Sequence, residues 1–385
     1  MRILQVHNRY CQAGGEDSVV KAEGGLLDHM GETVLLEQVD NSSINGFMGK
    51  AMVGASVVYS KKARSRLEAK IKDFRPDVVH VHNFFPLLSP SIFDACGELK
   101  VPVVCTLHNY RLMCAGAFLM RDGSVCEICI NKSPYHALLY GCYRNSRIGT
   151  FFVARMIESI RKKNNLANSV TRFIALTDFS KEKFTQAGFP SHQIMVKPNF
   201  SNDNMAFPRC FDGGALFVGR LSVEKGVGTL IESWQDLSVH MTIIGDGPLR
   251  SEVNSCGIDN ISVHGWLPFD EVSKFMSKAS FLIMPSQWYE GFPMVLVEAF
   301  SRGLPVIASK LGGMAEIVED GVTGLHFKVG DAEDLAEKVR WMHSHPEACK
   351  RMGSNARKVY LEKYTSEVNY KMLMNIYQEA IDSYA

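Results

Sequence analysis

The sequence contains no Asp-x-Asp, the pair that commonly clamps a divalent metal onto a diphosphate. It contains no Gly-x-Gly-x-x-Gly either. Gly245-Asp246-Gly247 follows an apolar run but lacks the third glycine, which counts against a nicotinamide dehydrogenase. No apolar run reaches the length of a membrane span, and there is no short-period repeat or low-complexity segment. Charge of either sign is not in large excess, since the 385 residues sum to +1. The opening residues Met1–His7 read as a first strand and lack the apolar core and small-residue cleavage site of an export signal. The ten cysteines are therefore expected to stay reduced, in a cytoplasmic chain.

What is present is alternation. In the first half, strands are expected at Ile3–His7, Thr33–Val39, Val78–His82, Val101–Leu107 and Arg172–Leu176. Helices are expected near 16–30, 61–73, 89–99, 146–167 and 180–187, the last capped by Ser180. Runs such as Val78-Val79-His80-Val81 suit strands covered on both faces. Met195–Phe200 and the polar stretch to Gly214 read as a linker. A second series follows, with strands at 215–219, 241–245, 261–264, 281–285, 305–309 and 324–327, and an amphipathic helix over 366–385. The pattern predicts an α/β protein of two doubly wound, Rossmann-like domains, 1–198 and 199–365, facing a cleft.

The stretch that organises the chemistry is Glu290-Gly-Phe-Pro-Met-Val-Leu-Val-Glu298. A helix opening at Pro293 puts Glu290 in the preceding loop and Glu298 inside the helix. The amides of Met294 and Val295, at the positive end of the dipole, then form an anion site between two carboxylates. That outline fits a nucleotide-diphosphate sugar. Any surface helix carries glutamates, so the spacing alone is weak; its place after an apolar strand adds weight. Gly219-Arg220-Leu-Ser-Val-Glu-Lys225-Gly226 also follows a strand, and its fork and point charge suit phosphate. Gly14-Gly15 allows close backbone approach to a ligand, while Glu16 and Asp17 read equally as first-turn acids. His108 ends a buried strand and is the histidine best placed to meet a ligand; His80 and His82, one strand earlier, read as structural or as supports behind the ligand-contacting residues.

Cys114, Cys126, Cys129 and Cys142 read either as a structural zinc set with a C-x2-C core or as unrelated buried thiols. Residues 1–200 hold 25 Lys+Arg against 17 Asp+Glu, and the remainder 17 against 24. The basic stretches Lys61–Arg66, Arg144…Arg147 and Arg161–Lys163 suit an anionic membrane surface or a solvated helix face. Without interleaved aromatics, nucleic acid is not expected.

Taken together, Glu290-x7-Glu298, Gly219-Arg220…Lys225-Gly226, Gly14-Gly15, Thr106-Leu107-His108 and Pro198-Asn199 make the chain resemble the retaining glycosyltransferases of family 4, with the GT-B fold. The resemblance spans essentially the whole chain. It implies a metal-independent enzyme moving a sugar from a UDP- or GDP-sugar to a glycan, lipid-linked or other hydroxyl acceptor. It gives Arg220, Lys225, Gly15, Met294 and Val295 to the diphosphate, Glu298 to the ribose, and Glu290 and His108 to the transferred sugar. The main chain near Trp266 would read the base, Glu16 would lie towards the acceptor, and the C-terminal helix would pack back on the first domain. The Glu16-Asp17 pair and the four cysteines depart from the general family pattern. A nucleotide-sugar epimerase on the same fold and a non-catalytic nucleotide-sugar-binding partner are the competing readings.

Overall fold

The computed structural model describes residues 1–10, 14–44, 46–163, 165–202, 209, 211 and 213–384. Two compact units account for the chain. The first comprises Met1–Leu119, Cys126–Asn199 and Asn369–Ala385; the second comprises Met120–Val125 and Phe200–Val368.

In the first unit the strands are β1 (Arg2–Arg9), β2 (Thr33–Asp40), β3 (Val78–Asn83), β4 (Val103–Thr106), β7 (Arg172–Ala175) and β8 (Ile194–Val196); β5 (Met120–Arg121) and β6 (Ser124–Val125), which fall in the second unit, form a short hairpin of their own. The six make one parallel sheet in the order β2-β1-β3-β4-β7-β8. Chain order reverses between β1 and β3, so the loops leaving those strands diverge there. Helix Ser366–Asp382 lays Leu373, Ile376, Tyr377 and Ala380 against Ile3, Val78, Val104 and Ile174 of the sheet.

The second unit repeats the plan with β9 (Ala215–Val218), β10 (Met241–Ile244), β11 (Ile261–His264), β12 (Phe281–Met284), β13 (Val306–Ser309) and β14 (Gly324–Phe327), parallel in the order β11-β10-β9-β12-β13-β14. The pleat divides the core by alternate residues. Ala215, Phe217, Met241, Ile243, Phe281 and Ile283 face one layer with Trp234 and Leu335. Leu216, Ile244, Leu282 and Met284 face the other, with Leu296, Phe300 and Tyr360. The reversal falls between β9 and β12, and open sheets of this kind bind ligands at the carboxyl edge there.

Several elements differ from expectation. Met195 and Val196 belong to edge strand β8 rather than to a linker. The helix expected from Ser180 begins at Asp178, because the Thr177 hydroxyl accepts from the Ser180 amide and is the true cap. Helices Gly46–Ser56 and Gly312–Ile317 were not anticipated. The first carries three glycines, which lower its intrinsic propensity. The second is six residues long, too short to display a period. Residues 203–208, 210 and 212 of the expected linker, and residue 164 of the expected helix 146–167, lie outside the described residues.

Gly245-Asp246-Gly247 has a packing explanation. Gly245 lies at φ 148, and a Cβ there would stand 1.8 Å from the Gly219 carbonyl oxygen; one on Gly247 would stand 2.4 Å from that of Leu221. The β10 loop thus presses directly on the β9 loop. Gly245→Ala is expected to destabilise the protein by roughly 2–4 kcal/mol through backbone displacement and strain, read by urea melts; a change below about 0.5 kcal/mol contradicts this packing.

Candidate active site

The loops leaving β9 and β12 are tied together by one carboxylate. Buried Glu290 accepts through Oε1 from Lys225 Nζ at 2.7 Å, Ser286 Oγ at 2.7 Å and Trp288 Nε1 at 3.0 Å. Lys225 Nζ also stands 5.7 Å from the Trp288 ring centroid. The backbone closes the same seam: the Gln287 amide donates to the Glu224 carbonyl at 2.9 Å. Gly226, at φ 70, sits where a Cβ would lie 1.9 Å from the Pro285 oxygen, so only glycine fits. Among the described residues no group bonds Glu290 Oε2, which leaves it as an acceptor.

Arg220, one residue past Gly219, is exposed and has no ion-pair partner among the described residues. Helix Met294–Ser301 starts after Pro293, which is the cap (ψ 98) rather than the first helical residue. Its first-turn amides, Met294 and Val295 included, have no acceptor within the helix. Glu298 lies half-buried in that helix, and burial pushes its carboxyl up to about 7. Trp266, beyond β11, is 76% exposed. The second unit therefore brings Arg220, Lys225 and Glu290 to one reversal point, with the amide end of the Glu298 helix following directly from the Glu290 loop.

In the first unit, Gly14 and Gly15 are exposed, and a Cβ on either would meet nothing within 4 Å. Internal packing does not explain either glycine. Asp17 is structural: it accepts from the Gly14 amide at 3.1 Å and faces His7 Nε2 at 2.7 Å. Glu16 is largely buried beside Asn109, whose Nδ2 donates to it at 3.3 Å. Burial, then the charge of Asp17, pushes Glu16 up to about 8. His108 follows β4, and its Nε2 lies 3.0 Å from His82 Nδ1.

Sequence reasoning missed Glu23. It is 2% exposed, with Oε1 lying 3.1 Å from His80 Nδ1 and 3.2 Å from His82 Nε2, and Oε2 3.3 Å from Lys197 Nζ. These donors of Glu23, His80 and His82 are the one group of three or more potential metal ligands within 4.8 Å of one another among the described residues. The four cysteines are not such a group. They gather without closing: burial, then Cys114, Cys142 and Cys126, pushes Cys129 up to about 11. A tetrahedral zinc has S···S edges of about 3.8 Å, so the thiols would have to draw together to hold one.

Two parallel sheets of this order, with cations and a helix terminus at the second sheet's reversal, define the GT-B class of sugar-transferring α/β proteins. Residues 50–204 match the family model described as Glycosyltransferase Family 4, and residues 214–359 the one described as Glycosyl transferases group 1. Together these matches take in well over half of the sequence, and the chain belongs to this glycosyltransferase family. An uncharacterised glycosyltransferase of Methanocaldococcus jannaschii is 37% identical over 43% of this chain and 48% of its own length. The sulfoquinovosyl transferase of Arabidopsis thaliana is 34% identical over 88% of this chain and 65% of its own. The chain thus spans less than two thirds of either relative. The solved structure of Anabaena HepE is 18% identical, covers 98% of this chain and 99% of its own, and superposes with a TM-score of 0.71, a likeness of fold.

The raised Glu298 carboxyl has a pH signature. Its burial costs nothing below about 4.5, and stability falls as pH rises from there through about 7, because the unfolded chain releases a proton that the folded one keeps. Glu298→Gln is expected to flatten that fall and raise Tm at pH 8 by roughly 2–4 °C. An unchanged pH slope in thermal melts contradicts the assignment.

Proposed function

We propose that the protein is a retaining, metal-independent glycosyltransferase that moves a sugar from a nucleotide-diphosphate sugar to a glycan, lipid-linked or other hydroxyl acceptor. The observation that carries the reading is the unpaired Arg220 at the reversal point where Lys225 meets Glu290. Cleaving the sugar–phosphate bond builds negative charge on the leaving diphosphate. Arg220, Lys225 and the amides of Met294 and Val295 would meet it without reorganising. Glu290 Oε2 would accept from a hydroxyl of the transferred sugar, Glu298 would hold the ribose, and the main chain at Trp266 the base. The Anabaena neighbour was solved with UDP, which supports a nucleotide donor. Roles for Gly15 at the diphosphate, His108 at the sugar and Glu16 towards the acceptor rest on the family resemblance. A structural zinc on Cys114, Cys126, Cys129 and Cys142 would order their segment; the gathered thiols support it, and metal analysis of the purified chain decides it.

The acceptor side includes an anionic lipid surface. No helix among the described residues is long and apolar enough to cross a membrane, so attachment would be peripheral. Two of the basic stretches are already committed. Arg64 pairs with Glu68 and Glu98, Arg66 with Glu37, and Arg161 donates to the carbonyls of Cys129 and Lys132. Around the third, Tyr135, Leu139, Ile148 and Phe151 are exposed, with Leu139 at 66% and Ile148 at 74%. Tyr135 and Phe151 have ring centroids 6.1 Å apart, joining the 3-10 helix Pro134–Tyr140 to helix Arg147–Lys163. Residues 128–157 contain Lys132, Arg144, Arg147 and Arg155 and no carboxylate side chain. Apolar tips rimmed by cations fit anionic headgroups over an acyl layer.

Arg220→Ala is expected to lower turnover of the preferred UDP- or GDP-sugar by roughly 10²-fold or more, with wild-type activity persisting in EDTA; near-normal turnover of the variant, or loss in EDTA restored by Mn²⁺, contradicts the clamp. Lys225→Ala is a less clean test, since it also leaves Glu290 buried without its cation. On the lipid side, the chain is expected to sediment with phosphatidylglycerol vesicles and not with phosphatidylcholine. Ile148→Asp with Arg147→Glu should release it while soluble donor hydrolysis is kept; unchanged sedimentation of that variant contradicts the surface.

A further inference from the structure

The polar cluster centred on Glu23 takes no part in the transfer described above, yet it is buried, charged and well anchored. Helix Gly15–His29 supplies Glu23, β3 supplies His80 and His82, and Lys197 follows β8. Lys197 Nζ donates to Glu23 Oε2 at 3.3 Å and to Asn369 Oδ1 at 3.0 Å, and Asn369 Nδ2 donates to the Pro198 carbonyl at 2.7 Å. Gln5 Nε2 donates to Glu23 Oε1 at 3.3 Å. His80 is held by Tyr377 Oη and Thr106 Oγ1, each at 2.8 Å. One carboxylate balanced by one ammonium makes the burial tolerable.

The geometry fixes protons. His82 Nε2 is buried, stands 3.2 Å from Glu23 Oε1 off the line of a good hydrogen bond, and has no other partner. A bare nitrogen lone pair facing a carboxylate at that distance is repulsive, so Nε2 carries the proton. His82 Nδ1 is then the acceptor, and the 3.0 Å contact requires His108 Nε2 to donate into it. We propose that Glu23 is a positioning residue for His108: acting through His82, it fixes His108 as the Nε2–H tautomer and leaves Nδ1 as that ring's acceptor. The consequence for catalysis rests on the reading that His108 meets a hydroxyl of the transferred sugar, which Nδ1 would accept.

The electrostatics agree with neutral rings. Burial, then His80, lowers His82 to about 4, and burial, then His82, holds His108 well below the usual imidazole range. Burial alone would raise Glu23, but the Lys197 ammonium, aided by a hydrogen bond from His80, outweighs it and holds the carboxyl well below its usual value. The same donors of Glu23, His80 and His82 are spaced as a metal set would be. The Lys197 ammonium beside Glu23 and a proton on His82 Nε2 both oppose a cation there.

The test is histidine ¹⁵N NMR on the full chain, with and without EDTA. Wild type is expected to show both His82 and His108 protonated at Nε2, unaffected by EDTA. The charge-balanced variant Glu23→Leu/Lys197→Met is expected to mix both tautomers and to lower kcat by roughly 10-fold, by analogy with losing the group that orients a histidine, with the donor KM little changed. Wild-type His108 protonated at Nδ1, EDTA-sensitive signals from His80 and His82, or tautomers unmoved in the variant each overturn the proposal, and the first two hold even if the variant fails to fold. If the tautomers behave as expected and His108→Ala turns over normally, the relay stands and the sugar contact of His108 falls.

Discussion

A single carboxylate oxygen holds the second unit's working edge together. Glu290 Oε1 takes hydrogen bonds from an ammonium, a hydroxyl and an indole, and those three donors come from the loops after β9 and β12. The parallel sheet sends those loops in opposite directions, so without a tie they would drift apart. The carboxylate costs its desolvation, and Lys225 offsets that cost. Gly226 lets the two backbones touch, so the cation and carboxylate meet at a distance set by main chain rather than by flexible side chains. A cationic edge held this firmly is what a leaving diphosphate requires.

The first unit solves the opposite problem, that of carrying charge inside a sheet. Glu23, Lys197 and three histidines sit where an uncompensated charge would unfold the protein. The balance comes from segments far apart in the chain, with the C-terminal helix supplying Asn369 and Tyr377. The last helix is thus part of the first unit's polar core as well as of its apolar one.

Much of the architecture was readable from residue order. All six strands of the second unit were expected to within one residue at each end, because buried parallel strands are short apolar runs bounded by glycine or proline. The Glu290 loop and the Glu298 helix were readable because proline marks a helix start. Three-residue β8 was not, since an edge strand that short carries no alternation. Glu23 was invisible for a different reason. On its helix it looks like an ordinary surface acid, and only Lys197, 174 positions away, makes it a buried one. The basic stretches hold a similar case: Arg66 and Arg161 look free in sequence and are claimed by Glu37 and by the Cys129 and Lys132 carbonyls that the fold brings near, whereas Arg64 meets Glu68 on its own helix as well as distant Glu98.

The central claim is that a nucleotide diphosphate is held at the β9–β12 reversal by cations and helix amides. A crystal structure of the chain grown with UDP or GDP tests it most directly. The account predicts phosphate oxygens within about 3 Å of Arg220, Lys225 and the Met294 or Val295 amide. Phosphates bound elsewhere, with Arg220 still in solvent and Lys225 still given wholly to Glu290, would contradict it.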